Sequence, residues 1–195
     1  AVFYEDRDSF RRNAENEGLI GDAGLTYRIT DTLDLTGQFT RYDQELPANR
    51  LRGVPVDLEG NFLTDISWNH NEPTDFLTTK ADVYQARLLW HPEGPIAGDV
   101  SMRYFDAKES QEYHEQRDLL DTDGDGALDT ISREFRDQRR TAKGLAFGGN
   151  LWGDVAALGL NHRLLLGGDW YEEDTTQLGR TFLDPTRGGP VPNLS

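Results

Sequence analysis

The stretch Gly21-Asp22-Ala23-Gly24-Leu25-Thr26-Tyr27-Arg28-Ile29-Thr30-Asp31-Thr32-Leu33-Asp34-Leu35-Thr36-Gly37-Gln38-Phe39 reads as two antiparallel strands around a tight turn at Asp31-Thr32. Strand side chains point alternately to opposite sides. Ala23, Leu25, Tyr27 and Ile29 therefore share one face, and Asp22, Thr26, Arg28 and Thr30 the other. After the turn Leu33, Leu35 and Phe39 resume the apolar face, with Asp34, Thr36, Gln38 and Thr40 opposite. One greasy and one wet surface per strand is the signature of a half-buried sheet. A soluble sandwich and a membrane barrel both write it, so the rest of the chain has to separate them.

Composition argues at first for a soluble protein: 36% hydrophobic residues, a mean hydropathy of −0.69 and a formal net charge of −15. A transmembrane barrel, however, needs only alternate residues apolar over segments of about ten, and its extracellular loops carry any amount of charge. No run approaches the roughly 18 apolar residues of a spanning helix, which excludes a helical membrane protein. A pI near 4.5 disfavours a nucleic-acid partner, since Arg11-Arg12 and Arg139-Arg140 are short and flanked by acids. Cysteine is absent, so there is neither a disulfide framework nor a thiolate metal site. The sequence opens at Ala1 without a basic and apolar leader and ends on the Gly/Pro-rich Arg187–Ser195. That punctuation predicts a slice through a longer series of hairpins.

Turn signals set against alternation give about seven strands, with short and long connections in alternation. A first strand over Ala1–Arg7 is followed by a polar connection through Asn16 and Gly18. A long excursion spans about 46–77; Ala81–Trp90 then places Tyr84, Ala86, Leu88 and Trp90 on one face, and His91–Pro95 closes it. Val100, Met102 and Tyr104 alternate before a second excursion over about 108–139. Leu145, Phe147 and Leu151 follow, Gly153-Asp154 is the next expected turn, and Leu160, Leu164, Leu166 and Trp170 carry the last strand. Compact soluble domains resist structureless loops of about 30 residues, whereas outer-membrane barrels put short turns on one side and long loops on the other. Trp90 and Trp152 beside short turns, and Tyr42 and Tyr171 near long ones, fit interfacial girdles. The fold predicted is all-β, an antiparallel up-and-down transmembrane β-barrel segment. Leu25, Tyr27, Leu35, Phe39, Leu88, Leu164 and Leu166 are expected to face lipid, and Arg28, Gln38, Gln85, Arg87 and Arg103 the lumen.

Several segments in order resemble the barrel domain of TonB-dependent siderophore receptors. They are Tyr4-Glu5-Asp6-Arg7-Asp8-Ser9-Phe10-Arg11, the hairpin Gly24–Leu35, Arg52-Gly53-Val54-Pro55, and Leu160-Asn161-His162-Arg163-Leu164-Leu165-Leu166-Gly167-Gly168-Asp169-Trp170. The resemblance covers the whole chain. It implies a barrel of roughly 22 strands closed by an N-terminal plug, in the outer membrane of a Gram-negative cell. Such a barrel binds a ferric siderophore outside and releases it inward when the TonB complex acts on the plug. Residues 1–195 are then a partial barrel lacking plug and C-terminal strands, with extracellular loops at about 46–77 and 108–139.

Residues able to carry chemistry lie mostly in those excursions. Asp121, Asp123, Asp125 and Asp129 occupy loop positions 1, 3, 5 and 9, with Gly126 at position 6, the spacing that wraps oxygen ligands around Ca²⁺. Ser132 stands where an EF-hand places its bidentate Glu, which leaves an isolated calcium loop or a merely acidic turn. Trp68 and His70 in the first excursion, and Tyr113 and His114 in the second, are candidate ligand contacts, because aromatic and hydrogen-bonding groups on loops suit a chelate. His91 and His162 read as interfacial or structural, and the Gly148-Gly149 and Gly167-Gly168 pairs as sites of curvature or close packing. No nucleophile–base pair or phosphate loop stands in a productive context, and Glu172-Glu173 point to opposite faces, so an enzyme is not expected. The competing readings are a secreted, calcium-stabilised all-β binding module and a passive outer-membrane porin.

Overall fold

The computed structural model describes residues 1–48, 50 and 53–182; Arg52 of the Arg-Gly-Val-Pro segment and the Arg187–Ser195 stretch lie outside them. Among the described residues seven strands form one sheet in sequence order: β1 Val2–Asp8, β2 Glu15–Thr30, β3 Leu33–Pro47, β4 Phe76–Trp90, β5 Ile96–Leu120, β6 Thr130–Ala157 and β7 Leu160–Phe182. Every neighbouring pair is antiparallel, giving an uninterrupted meander.

Tight connections cluster at one end. At the β2–β3 turn the Thr30 hydroxyl accepts from the Thr32 amide at 3.3 Å, and His91 donates its backbone N–H to the Thr32 carbonyl at 2.9 Å, tying adjacent turns together. Leu158 and Gly159 turn β6 into β7 with φ of 54° and 75°. Two successive positive φ values make a type I′ turn, whose twist matches the flanking strands.

Three sequence expectations need correction here. Asn16 and Gly18 are not a connection: both lie inside β2, paired with Arg7 and Glu5. Gly153-Asp154 is not a turn: both lie inside β6, paired with Leu164 and Arg163. Gly153 is small for another reason, since a Cβ there would sit 2.8 Å from the Pro95 carbonyl oxygen. The second excursion is also mostly strand. β5 runs to Leu120 and β6 starts at Thr130, leaving only residues 121–129 as the connection. Pairing continues there because cross-strand backbone bonds do not depend on an apolar face. The described residues of the first excursion, 48, 50 and 53–75, are irregular apart from a Val56–Phe62 bridge.

The register aligns residues in rows across the sheet. One face carries Tyr27–Leu35–Leu88–Val100, then Leu25–Gly37–Ala86–Met102–Phe147–Trp170, then Ala23–Phe39–Tyr84–Tyr104–Leu145, which on β7 already ends in Glu172. The next row on this face is Arg41–Asp82–Asp106–Lys143–Asp174, where the apolar character stops. From Val155 to Leu145 on β6 is about ten residues, which at ~3.4 Å per residue and a tilt of ~45° makes a band roughly 24 Å tall. These side chains are exposed, Leu25 at 73% and Leu166 at 74%, so the sheet has its apolar residues outside. Trp152, Tyr42 and Tyr171 do not join this face. The register puts them on the opposite one, and Phe39, Tyr84 and Tyr104 form the aromatic row instead, with ring centroids 4.9 and 6.2 Å apart.

Candidate functional site

The buried side chains of the described residues gather beyond the charged row, where 48–75 folds onto the extended β5–β6 hairpin. Asp75 is the hub, 2% exposed at the end of that segment. Its carboxylate accepts the His114 amide and the His114 Nδ1–H, both at 2.8 Å, and the Glu72 amide at 3.0 Å. Asp75 also accepts the Ala48 amide through its carbonyl at 2.7 Å, closing the base of the loop. An ionised carboxylate shared among several N–H donors is a strong buried anchor.

A second cluster forms on the polar face. Tyr113, 1% exposed, lies beneath the Arg50 guanidinium at 4.3 Å from the ring centroid, with the Arg136 guanidinium at 6.0 Å. Arg50 donates to Gln111 at 2.7 Å, and Arg136 donates to the Tyr113 hydroxyl at 3.3 Å and pairs with Glu134, which Arg117 reaches at 3.1 Å. The Tyr113 hydroxyl, then the Glu134 carboxylate, hold the Arg136 guanidinium above its ordinary pKa. Arg133 ties the loop from the other side, donating to the His70 carbonyl at 2.9 Å and to Glu72 at 2.7 Å. Arg11 donates to the Trp68 carbonyl at 2.6 Å, which fastens the loop to the β1–β2 connection.

Of the four sequence-predicted contacts, the structure brings Tyr113 and His114 to the loop base but engages both in holding it there. His70 is 2% exposed; Trp68 is half-buried, its ring centroid 6.1 Å from that of His70. Asp75, Arg50, Glu134 and Arg136 were not foreseen. Glu134 and Arg136 are two residues apart, but the partners that build the cluster lie far along the chain, Asp75 and His114 being 39 residues apart, Arg50 and Gln111 61, and Arg136 and Tyr113 23, so no local spacing announces them.

The acidic turn divides differently from its expected ligand set. Asp121, Asp123 and Asp125 offer carboxylate oxygens within 4.8 Å of one another, all exposed. Asp129 stands apart and accepts the Thr130 hydroxyl at 3.1 Å. Asp121 accepts the Gly124 and Gly126 amides at 2.7 and 2.9 Å, and these backbone donors lower its pKa. Gly124 and Gly126 have φ of 81° and 92°, the left-handed backbone that lets the amides converge. Between this turn and the 57–63 hairpin lies an open cavity of about 450 Å³, lined by Leu58, Glu59, Leu63, Ala127, Leu128 and Asp129.

The face opposite the apolar band is polar and internally bonded. Arg28, Gln38, Gln85, Arg87 and Arg103 all lie on it. Asp22 accepts Gln38 at 2.8 Å and Thr40 at 2.7 Å, Asp99 accepts Arg87 at 2.6 Å and Asn150 at 3.0 Å, and Asp34 pairs with His91 at 2.9 Å and Arg28 at 3.6 Å. Such a surface lines a wetted space or packs against a polar partner.

No family model and no curated protein matches the sequence. Solved structures do match. FpvA of P. aeruginosa, bound to heterologous pyoverdines, aligns over 91% of this chain and 24% of its own, with a TM-score of 0.80 at 15% identity. BauA, the ferric preacinetobactin receptor from Acinetobacter baumannii, aligns over 91% and 26%, with a TM-score of 0.75 at 11% identity. The ferripyoverdine receptor of the Pseudomonas aeruginosa outer membrane, bound to ferripyoverdine, aligns over 93% and 24%, at 0.71 and 16%. The chain thus spans about a quarter of the length of the structures it matches. The sheet has the fold of the β-barrel in ferric siderophore receptors, and the resemblance read from the sequence holds at the level of fold.

Proposed function

We propose that this chain is part of the wall of an outer-membrane receptor that imports a ferric siderophore, energised through TonB. The observation that carries the reading is a roughly 24 Å apolar band on one face of a single meander, ended by the charged row Arg41–Asp82–Asp106–Lys143–Asp174 and backed by a polar face. The band faces hydrocarbon, while Arg28, Gln38, Gln85, Arg87 and Arg103 face the lumen. The 48–75 loop and the 121–129 turn stand outside the cell. Trp68 and the rim of Leu58 and Leu128 meet the chelate first, and His70, Tyr113 and His114 reach it when the loop lifts from β5. A soluble calcium-stabilised module is disfavoured by the exposed apolar band.

The test is iron-limited growth of a strain carrying or lacking the complete gene, supplied with a panel of ferric siderophores. Rescue by one chelate, lost when the proton gradient is collapsed, is the expected result. Uptake indifferent to the gradient would assign a passive porin, and no rescue by any chelate would sink the siderophore reading. Within the same proposal, Asp121, Asp123 and Asp125 bind Ca²⁺ weakly, at about 10⁻⁴ to 10⁻³ M, and stiffen the turn. Calorimetry of the whole protein should show a calcium heat that Asp125→Ala removes; no heat in the unsubstituted protein reduces the motif to an acidic turn.

A further inference from the structure

The cavity between the 57–63 hairpin and the 121–129 turn has an apolar floor and an acidic rim. Leu58, Leu63, Ala127 and Leu128 line it together with Asp57, Glu59 and Asp129. Leu58 stands at the hairpin tip, 96% exposed. The two walls carry charge of one sign. Segment 53–75 contains Asp57, Glu59, Asp65, Glu72 and Asp75, segment 118–132 contains Asp118, Asp121, Asp123, Asp125 and Asp129, and neither contains a lysine or an arginine.

Cations stand lower down, where each is engaged by a different carboxylate set. Arg133 pairs with Glu72 at 2.7 Å, Arg117 with Glu134 at 3.1 Å and Arg50 with Glu115 at 4.0 Å, and Arg136 also reaches Glu134. Asp57, Glu59 and Asp129 make no ion pair among the described residues. Asp57 accepts the Asn61 side-chain amide at 2.8 Å and the Asn61 and Glu59 backbone amides at 2.7 and 2.9 Å. These donors are neutral, so they leave the negative charge in place, and they hold the Asp57 carboxyl below its ordinary pKa, the Asn61 side chain most of all. Asp129 accepts a hydroxyl, that of Thr130 at 3.1 Å. Uncompensated carboxylates beside apolar side chains suit a ligand that carries positive charge on an apolar stem, and repel a polyanion. Iron chelates differ in this respect. A ferric tris-catecholate is a polyanion, a ferric tris-hydroxamate is neutral, and one ending in a protonated amine is a cation.

We propose that this cavity receives the ammonium-bearing arm of a cationic ferric hydroxamate, with Glu59 and Asp129 facing the ammonium group and Leu58, Leu63 and Leu128 against the methylenes of the arm. The proposal rests on the siderophore reading above and narrows its substrate class. The test measures binding to the full-length protein in uncharged detergent by quenching of tryptophan fluorescence. The probes are ferrioxamine B, a hydroxamate with a free amine; its N-acetyl derivative, which lacks the charge; and ferric enterobactin, a tris-catecholate. Ferrioxamine B should bind about fivefold more tightly than the acetylated form, the effect of two exposed charge pairs, and ferric enterobactin most weakly. Glu59→Gln/Asp129→Asn keeps both side-chain shapes and should bring the two hydroxamates to equal affinity without altering that of the acetylated one. Equal affinities in the unsubstituted protein, or a gap that survives the double substitution, overturns the proposal. Oligolysine binding through Glu59 and Asp129, with no discrimination between the hydroxamates, would assign a basic-polypeptide site and overturn it equally. A strain carrying the complete gene that imports ferric enterobactin and neither hydroxamate sinks only the present inference, whereas import of no chelate sinks the siderophore reading itself.

Discussion

Leu35 and Gln38 are three residues apart on β3 and point to opposite faces, so placing the same arginine at each position compares the two environments directly. Leu35 is flanked by Tyr27 and Leu88 and lies two rows below the Phe39–Tyr84–Tyr104 row. At ~3.4 Å per residue and ~45° tilt that is about 10 Å inside the edge of the apolar band, which the proposed orientation puts close to mid-membrane. An arginine on the lipid face at that depth costs about 2–4 kcal/mol, falling to about 0–1 near the interfaces. Gln38 already donates to Asp22 at 2.8 Å, so an arginine there meets a carboxylate and should be neutral or slightly stabilising. Denaturant unfolding of each variant, purified from membranes and folded in detergent, measures the difference. Equal losses at the two positions, or the larger loss at Gln38, would refute the assignment of faces.

Three further outcomes follow from the geometry. Gly144→Val should destabilise the sheet by about 1–3 kcal/mol through overpacking, because even a Cβ there would fall within 2.2 Å of the Phe105 ring. Phe105→Ala should recover part of the loss in a double-mutant cycle, and additive effects would contradict the clash. Asp75→Ala leaves three N–H donors without their acceptor, at about 1–3 kcal/mol for each buried group. Hydrogen exchange should then quicken over 48–75 while the β3–β5 pairs stay protected; unaltered protection of the loop counts against the hub role. The Asp121 carboxylate has its pKa lowered in the folded turn, so the order it confers is complete above the ordinary carboxylate range and is lost only as pH falls through the lowered value. Gly124 and Gly126 amide shifts followed against pH should move below the usual Asp midpoint, and movement at that midpoint would remove the claim.

The sequence made the banded part of the fold legible and hid the part beyond the charged row. Over 21–40, 81–90 and 160–170 one face must be apolar, so period-two alternation is enforced and can be read. Over 108–120 both faces carry Lys108, Glu109, Gln111, Glu112 and Glu115, no face needs to be greasy, and continued strand looks like loop. Gly153-Asp154 misled because turn residues also serve close approach, and only the distance to Pro95 tells the two apart. The acidic turn was visible from spacing, although Asp129 could be separated from its neighbours only in three dimensions. The Asp75–His114 lock joins parts of the chain that nothing local connects.

A meander that pairs each strand only with its neighbours in sequence has a consequence for the order of assembly. Closing a loop costs roughly (3/2)RT ln n, so the link of residues 48–75 costs about 2 kcal/mol more to close than the two-residue Asp31-Thr32 and Leu158-Gly159 turns. The β2–β3, β4–β5 and β6–β7 hairpins therefore zip early, and the seam between β3 and β4 is the slow one. Deleting residues 56–62, the hairpin at the tip of that link, should speed formation of the seam in refolding followed by pulsed hydrogen exchange, and an unchanged rate would contradict this order. Until it closes, β3 presents an open edge with Leu33, Leu35 and Phe39 along it, and the nascent chain is most exposed to pairing with another copy.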